Sequence, residues 1–251
     1  MTEYSDAFKD AIPSHLKEIN CKKGQFDRDN SSCNTISAIS EHFKNSYLIR
    51  YDIKNSSVPI TIPLFEEFCI SAIQLSNLYH VVLGKNFICT ILKNDILNNT
   101  RDSLNVWTNE SSGAKTVEEF LRSQIEIHTL NGIESNNGNG VVKFLWVVRS
   151  INFIFNFIEN IIFVSGEDLY ESILDAYNRS LRPYHGFTKY TIAMMAIKLV
   201  PNKTELINNL GFSDIETGIN ALKELIYISR PCISHIDFLL DKYNCNIKHV
   251  V

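Results

Sequence analysis

Residues 141–164 read VVKFLWVVRSINFIFNFIENIIFV, and the way this stretch is interpreted decides the fold. A membrane-spanning helix needs about 20 nearly uninterrupted apolar residues. Arg149, Asn152, Asn156 and Glu159 break the run at steps of three, four and three, so they return to one face of a helix. A stretch this apolar, interrupted at helical spacing, reads as the central, almost fully buried helix of a soluble bundle. The whole chain agrees: 251 residues suffice for one sizeable domain, and 45% apolar with 21% charged residues is a globular composition. A formal charge of −4 excludes a broad basic surface, so nucleic acid is not an expected partner. A local basic patch can still meet an anionic membrane, because net charge says nothing of distribution.

Helical periodicity dominates outward from this core. Ile62, Phe65, Phe68, Cys69, Ala72, Ile73 and residues 75–82 trace a long amphipathic helix after Pro59 and Pro63. Residues 85–107 predict a second helix. Residues 116–130 predict a third, opened by Thr116 with Glu119 three positions on, the spacing of a capping box. An Asn/Gly-rich loop spans 131–140. Residues 167–200 read as helical on both sides of Pro183, which should kink or break them. Residues 214–229 and 232–244 read as two helices separated by Pro231. Residues 47–53 and 58–62 could be extended, but no hairpin dipeptide joins them. Residues 1–57 are more polar, and 22–33 look like a loop. They are expected to form an N-terminal extension, partly helical and partly mobile, ahead of a main domain over 58–251.

The start, residues 1–10, is polar and acidic, unlike a secretory signal, which favours a cytoplasmic location. Six cysteines show neither a C-x-x-C pair nor a Cys/His cluster, which argues against zinc and for free buried thiols.

Three polar clusters remain. Asp95, Asn99 and Asp102 share one helix face, with Arg101 beside them. Trp146 and Arg149 sit on the central helix. Tyr184-His185-Gly186-Phe187 follows Pro183. Taken singly, the first reads as solvated surface, the second as core packing and the third as a structural histidine. His185 and Asp95 could be an acid/base pair. Yet there is no evident nucleophile turn, phosphate loop or metal spacing, so no catalytic residue, cofactor or metal is expected.

Together, and in this order, the clusters resemble the motifs of the glycolipid transfer protein family. FICTILKNDILNNTR (87–101) resembles the family helix bearing Asp-x-x-x-Asn. VKFLWVVRSINF (142–153) is similar to its Leu-x-Trp-Leu-Lys-Arg-x-Leu-x-Phe helix. AYNRSLRPYHGF (176–187) is similar to its Ala-Tyr-x-x-x-Leu-x-x-Tyr-His-Gly-Trp stretch, and KYNCNIKHVV (242–251) to its C-terminus. The likeness covers roughly residues 58–251.

The resemblance implies an all-α, two-layer helical sandwich whose interior opens to admit lipid chains. It implies a non-enzymatic carrier, peripheral to membranes, that binds a sphingolipid, with glycosylceramide expected; a monomer is expected because the sequence shows no patterned interface. Asp95 would accept the ceramide N–H and His185 would donate to its carbonyl. Asp95 and Asn99 would bond the first sugar, and Trp146 would lie against the sugar ring. Leaving the amide unpaired would cost several kcal/mol, roughly 2–7. A chain of ~16 carbons gains on the order of 13 kcal/mol inside the protein and loses about as much on leaving a bilayer, so headgroup contacts decide which lipid is chosen. Phe65, Phe68, Leu75, Leu78, Phe87, Ile91, Phe144, Phe153 and Val250 are candidates for the chain-facing lining, and Phe187 and Tyr190 for membrane docking.

Two positions depart from the family pattern. Asp102 stands where glycolipid binders carry a lysine, and Phe187 stands where they carry a tryptophan. The family's ceramide-1-phosphate carriers place Lys where this chain has Asn99 and Arg where it has Trp146. Those positions favour the glycolipid branch, while Arg149, Arg101 and Lys93 could form a smaller cationic patch for a phosphosphingolipid. A lipid sensor using the same pocket is a third possibility.

Overall fold

The computed structural model describes residues 33–50, 60–83, 86–134 and 139–248. In chain order these form α1 (Cys33–Asn45), β1 (Tyr47–Arg50), β2 (Ile60–Pro63), α2 (Phe65–Leu75), α3 (Leu78–Leu83), α4 (Phe87–Glu110) and α5 (Val117–Glu134). There follow α6 (Gly140–Phe163), α7 (Tyr170–Ser180), a 3-10 turn (Arg182–Tyr184), α8 (Phe187–Ile197), α9 (Lys203–Asn209) and α10 (Ile215–Lys242).

The apolar stretch around Trp146 forms α6, and it is the spine of the domain. It packs against α4, α7, α10, α5 and α2. Its length and composition would allow it to cross a membrane, but 83% of its most apolar window is buried against the other helices. Asn139 starts it by accepting from the Val141 N–H at 2.8 Å. Gly140 lets it approach α4 closely: a Cβ there would lie 2.6 Å from Val106 Cγ1. The core continues outward as an aromatic cluster. Phe144 meets Phe65, Phe68 and Phe120 at ring-centroid distances of 5.2, 5.7 and 5.9 Å, and Phe43 meets Phe155 at 5.4 Å.

Phe43 belongs to α1, within the stretch that the sequence sets apart as an extension; α1 packs on α10 and α2. Residues 1–32 lie outside the described residues.

Local signals and structure differ at four places. The helix expected from Ile62 begins at Phe65, because Tyr47–Arg50 and Ile60–Pro63 pair as antiparallel strands with Leu48 opposite Ile62. That helix also divides, since Ser76 turns its hydroxyl back onto the Ile73 carbonyl at 2.7 Å and the chain turns before α3. The capping box forms as spaced: the Glu119 N–H donates to Thr116 Oγ1 at 3.2 Å, and Glu119 Oε2 accepts from the Thr116 N–H at 3.0 Å. The helix it opens runs to Glu134, into the expected loop.

The largest correction is at Pro231, which does not separate a pair of helices but lies inside the single helix α10. A proline inside a helix costs ~3 kcal/mol or more. Here, contacts on either side of it hold the helix against α6. The Arg230 guanidinium donates to both Glu159 oxygens at 2.6 Å, to Asn156 at 2.7 Å and to Asn152 at 3.1 Å. Asn152 in turn donates to Asp237 at 3.0 Å. Three of the four polar residues that interrupt α6 are therefore its bonds to α10.

Burial pushes the Asp237 carboxyl up to about 6, against the pull of Asn152 and Arg230. The folded protein then holds this proton more tightly than the unfolded chain, so this group's contribution to stability falls as pH rises from about 4 to about 6 and is flat above. Asp237→Asn, which keeps an acceptor for Asn152, is expected to raise stability at pH 7 by about 1–2 kcal/mol, with the gain shrinking toward pH 4. Urea unfolding of both proteins at several pH values checks this; equal midpoints throughout would contradict it.

Cys69, Cys89, Cys232 and Cys245 are buried thiols outside any disulfide.

Candidate functional site

Pro183 ends the helical run as expected. Pro183 has no N–H to return to the Arg179 carbonyl, so α7 gives way to the short turn, and α8 starts at Phe187. The turn lays Tyr184 and His185 against α6. The His185 ring stacks on Trp146 with centroids 5.7 Å apart and planes 22° apart, and Tyr184 meets the same indole edge-on at 6.4 Å. From α7, the Tyr177 hydroxyl lies 3.2 Å from His185 Nδ1. Across from them, α4 contributes Asp95 and Asn99. The Asn99 amide donates back to the Asp95 carbonyl at 2.9 Å, and its side chain is buried.

Lys189, near the start of α8, joins the two sides. Its Nζ is 3.2 Å from Asp95 Oδ1 and 4.9 Å from the Trp146 ring centroid. The structure thus brings together Asp95, Asn99, Trp146 and His185 from three segments far apart in sequence. Arg149 joins them by stacking on Tyr184 at 3.4 Å and lying 5.3 Å from the Trp146 centroid. Its Nη2 donates to the Ile247 carbonyl, tying the last described residues to α6. Arg101 is joined to none of these groups.

Trp146 is only 4% exposed. His185, Tyr184, Arg149 and Lys189 all lie around its ring, so no open platform is offered to a sugar in this arrangement. Asp102, the departure from the family pattern, pairs with Lys143 of α6 at 3.1 Å. Lys143 stands three residues before Trp146 and so on the same helix face.

Burial holds the His185 imidazole down to about 4, and Lys189 and Arg182 push in the same direction against the pull of Asp95. His185 is therefore neutral across the physiological range, with one nitrogen donating and the other accepting. Burial also pushes the Tyr177 phenol up to about 12, so it stays protonated. Burial lowers Arg149 to about 10, which leaves it charged.

An apolar cavity of about 50 Å³ lies beyond Tyr177. It is lined by Leu78, Tyr79, Phe153, Phe157 and Ile161 among others. Side-chain contacts link the site to one wall of the cavity: His185 bonds Tyr177, and the Tyr177 ring stands 6.5 Å edge-on to Phe153. A cavity of this size has the volume of only a few waters, and its apolar walls offer them no partners. A chain of ~16 carbons fits only if the surrounding helices move apart.

The expected lining residues fall into groups. Leu78 and Phe153 face the cavity, whereas Phe65, Phe68 and Phe144 are packed in the aromatic cluster instead. Leu75 is fully buried and Ile91 half-buried. Phe87 does not face the interior: as the first residue of α4 it is 79% exposed. Val250 lies outside the described residues. Of the expected docking residues, Phe187 is 86% exposed, while Tyr190 is half-buried near Tyr177 with Arg182 over its ring at 4.6 Å.

The sequence reading missed Tyr177, Lys143 and Lys189. Tyr177 lay inside a quoted motif, and Lys143 was readable as one helical turn from Trp146. Nothing local marked Lys189, because its partners come from α4 and α6.

Residues 63–212 match the model of the glycolipid transfer protein family. Glycolipid transfer protein 3 of Arabidopsis thaliana is 23% identical over 158 residues, which cover 61% of this chain and 65% of that protein. Among solved structures, the apo-form of mouse ceramide-1-phosphate transfer protein superposes with a TM-score of 0.70 at 11% identity, over 84% of this chain and 98% of the other. The FAPP2 structure, described as selecting simple glycosphingolipids with the same fold, superposes with a TM-score of 0.68 at 14% identity, over 86% and 99%. The all-α two-layer sandwich expected from the motifs is thus the fold of this chain.

Proposed function

Because the chain belongs to the glycolipid transfer protein family, we propose that it binds a sphingolipid and carries it between membranes without transforming it, with a glycosylated ceramide as the ligand. The observation that supports this best is the convergence of Asp95, Trp146 and His185, which come from three segments far apart in sequence. A ceramide has one amide donor and one amide acceptor at the junction of headgroup and chains. Asp95 is the acceptor for its N–H. In this reading the Tyr177 hydroxyl donates to His185 Nδ1, so Nε2 keeps its proton and donates to the amide carbonyl. The neutrality of His185 matters here, since the fixed tautomer presents one donor without burying a charge.

The acyl chains follow Tyr177 toward Phe153 and open the cavity as they enter. The exposed Phe187, two residues after His185, meets the membrane surface. The protein works from the cytoplasmic side, peripheral to the bilayer.

A second reading, a ceramide-1-phosphate carrier, is favoured by one observation. Arg149 and Lys189 lie over the Trp146 ring, Arg182 donates to the His185 carbonyl, and Lys189 pairs with Asp95. Transfer of fluorescent galactosylceramide, ceramide-1-phosphate and sphingomyelin between vesicles tests both. Faster movement of galactosylceramide supports the first reading and of ceramide-1-phosphate the second. Binding with slow transfer of every lipid would indicate a sensor.

A further inference from the structure

Tyr79 carries a hydroxyl that the fold leaves unused. Its side chain lines the apolar cavity, and the residue is only 8% exposed. A buried phenol ordinarily finds a hydrogen-bond partner. Tyr47, Tyr177 and Tyr243 follow that rule: their hydroxyls bond the Ile228 carbonyl, His185 Nδ1 and Glu118 Oε1 at 3.0, 3.2 and 2.6 Å. Tyr79 makes no hydrogen bond among the described residues. The other side chains lining the cavity are Ile, Leu and Phe, so within that lining only Tyr79 can answer a polar group on a lipid chain.

Tyr79 also stands close to the site. It belongs to α3, which packs on α4, the helix that carries Asp95. Burial pushes its phenol above the ordinary tyrosine range and the Asp95 charge pushes the same way, so the hydroxyl stays protonated and able to donate. Tyr79 thus joins the cavity wall to the carboxylate assigned to the ceramide N–H. A chain hydroxyl close to the amide, at C2 of the acyl chain or C4 of the sphingoid chain, enters this space with its chain. Enclosed by apolar side chains without a partner, it would be penalised. Tyr79 offers the partner, and one bond then satisfies two polar groups. A lipid lacking that hydroxyl leaves Tyr79 unpaired, which is how a site built to bond a hydroxyl discriminates against the plain analogue.

We infer that Tyr79 reads the lipid chains, making the site favour a ceramide with an additional hydroxyl beside the amide over one with plain chains. The inference rests on the sphingolipid reading above and deepens it. It concerns the ceramide part, which sugar-bearing and phosphate-bearing lipids share.

The test measures binding of the full chain to galactosylceramides built on a plain, a 2-hydroxyacyl or a 4-hydroxysphingoid ceramide, and to the matching ceramide-1-phosphates. The wild-type protein is expected to bind a hydroxylated form about tenfold more tightly than the plain one. Tyr79→Phe should bring that ratio to one or below. It should leave the Tm of the lipid-free protein unchanged, because no native hydrogen bond is lost. Whatever the vesicle contributes to releasing a hydroxylated lipid is common to both proteins, so the change in ratio reports Tyr79. Preference for the 2-hydroxyacyl lipid places the bonded hydroxyl on the acyl chain, and preference for the other places it on the sphingoid chain. Both support the inference, provided the preference is lost in Tyr79→Phe. A wild-type ratio near one, or a preference that survives in Tyr79→Phe, overturns it and leaves the carrier reading standing. So does equal weakening of every lipid in that variant, which would assign Tyr79 to the 3-hydroxyl common to all ceramides. A fall in Tm also overturns it, by showing a native partner for the hydroxyl. Failure to bind any of the lipids overturns both readings.

Discussion

Asp95→Val is expected to remove sphingolipid binding while leaving the fold intact. The carboxylate is the acceptor assigned to the ceramide N–H, and valine has a similar volume but no acceptor. A buried amide N–H left unpaired costs about 1–3 kcal/mol by mutational measures, or roughly ten- to hundredfold in affinity. Loss of the remaining contacts on Asp95 adds to this, so a drop of about a hundredfold is the expected result. Asp95→Asn keeps an acceptor oxygen and should lose about tenfold or less. The stability cost is small, because the Asp95–Lys189 pair is partly exposed, at 38% and 34%, and such pairs are worth about 0–1 kcal/mol. Quenching of the two tryptophans on lipid binding provides the dissociation constant, and thermal unfolding reports the fold. Unchanged binding by Asp95→Val would remove Asp95 from the site.

Phe144→Ala is expected to be among the most destabilising single changes, although Phe144 reads from the sequence as a lipid-facing residue. Its side chain is fully buried and touches Phe65, Phe68 and Phe120. Removing a packed phenylalanine leaves a void that neighbouring helices fill only incompletely, at about 3–5 kcal/mol. For a domain of this size that corresponds to a fall in Tm of roughly 10 °C. Phe153→Ala is the informative contrast. Phe153 already borders a cavity, so less packing is lost, and the enlarged space should shift the preferred acyl chain toward longer lipids. If Phe144→Ala were nearly neutral in stability and changed chain preference instead, the aromatic cluster would be the adjustable lining and the cavity beside Phe153 a packing defect.

Much of the site was legible in the sequence. Asp95 and Asn99 are four residues apart on a helix, so any helix puts them on one face. Trp146 sits on a run whose polar interruptions rule out a lipid-facing span. Pro183 forces the turn that presents His185. Other features were not legible because their partners are distant. Trp146 is a plausible open platform until Lys189 and His185 are seen around its ring. Asp102 looks like a change of charge at the headgroup until Lys143 is found neutralising it. Phe87, Phe144 and Phe153 are chemically identical in sequence, yet one is exposed, one is packed and one borders the cavity.

By itself, then, the sequence determined what local chemistry controls. It set the helical class and the Thr116–Glu119 box that opens α5. It also set the break at Pro183 and the order of motifs that carries the family likeness. Tertiary structure decided whatever depends on sums of weak contacts between remote segments. Pro231 should end a helix on local grounds, but α10 runs through it because Arg230 and Asp237 bond to α6, and several such contacts together outweigh a penalty of ~3 kcal/mol. The side chains gathered around Trp146 come from α6, α8 and the turn before α8, and only packing brings them together. No local propensity encodes a meeting of residues this far apart in the chain.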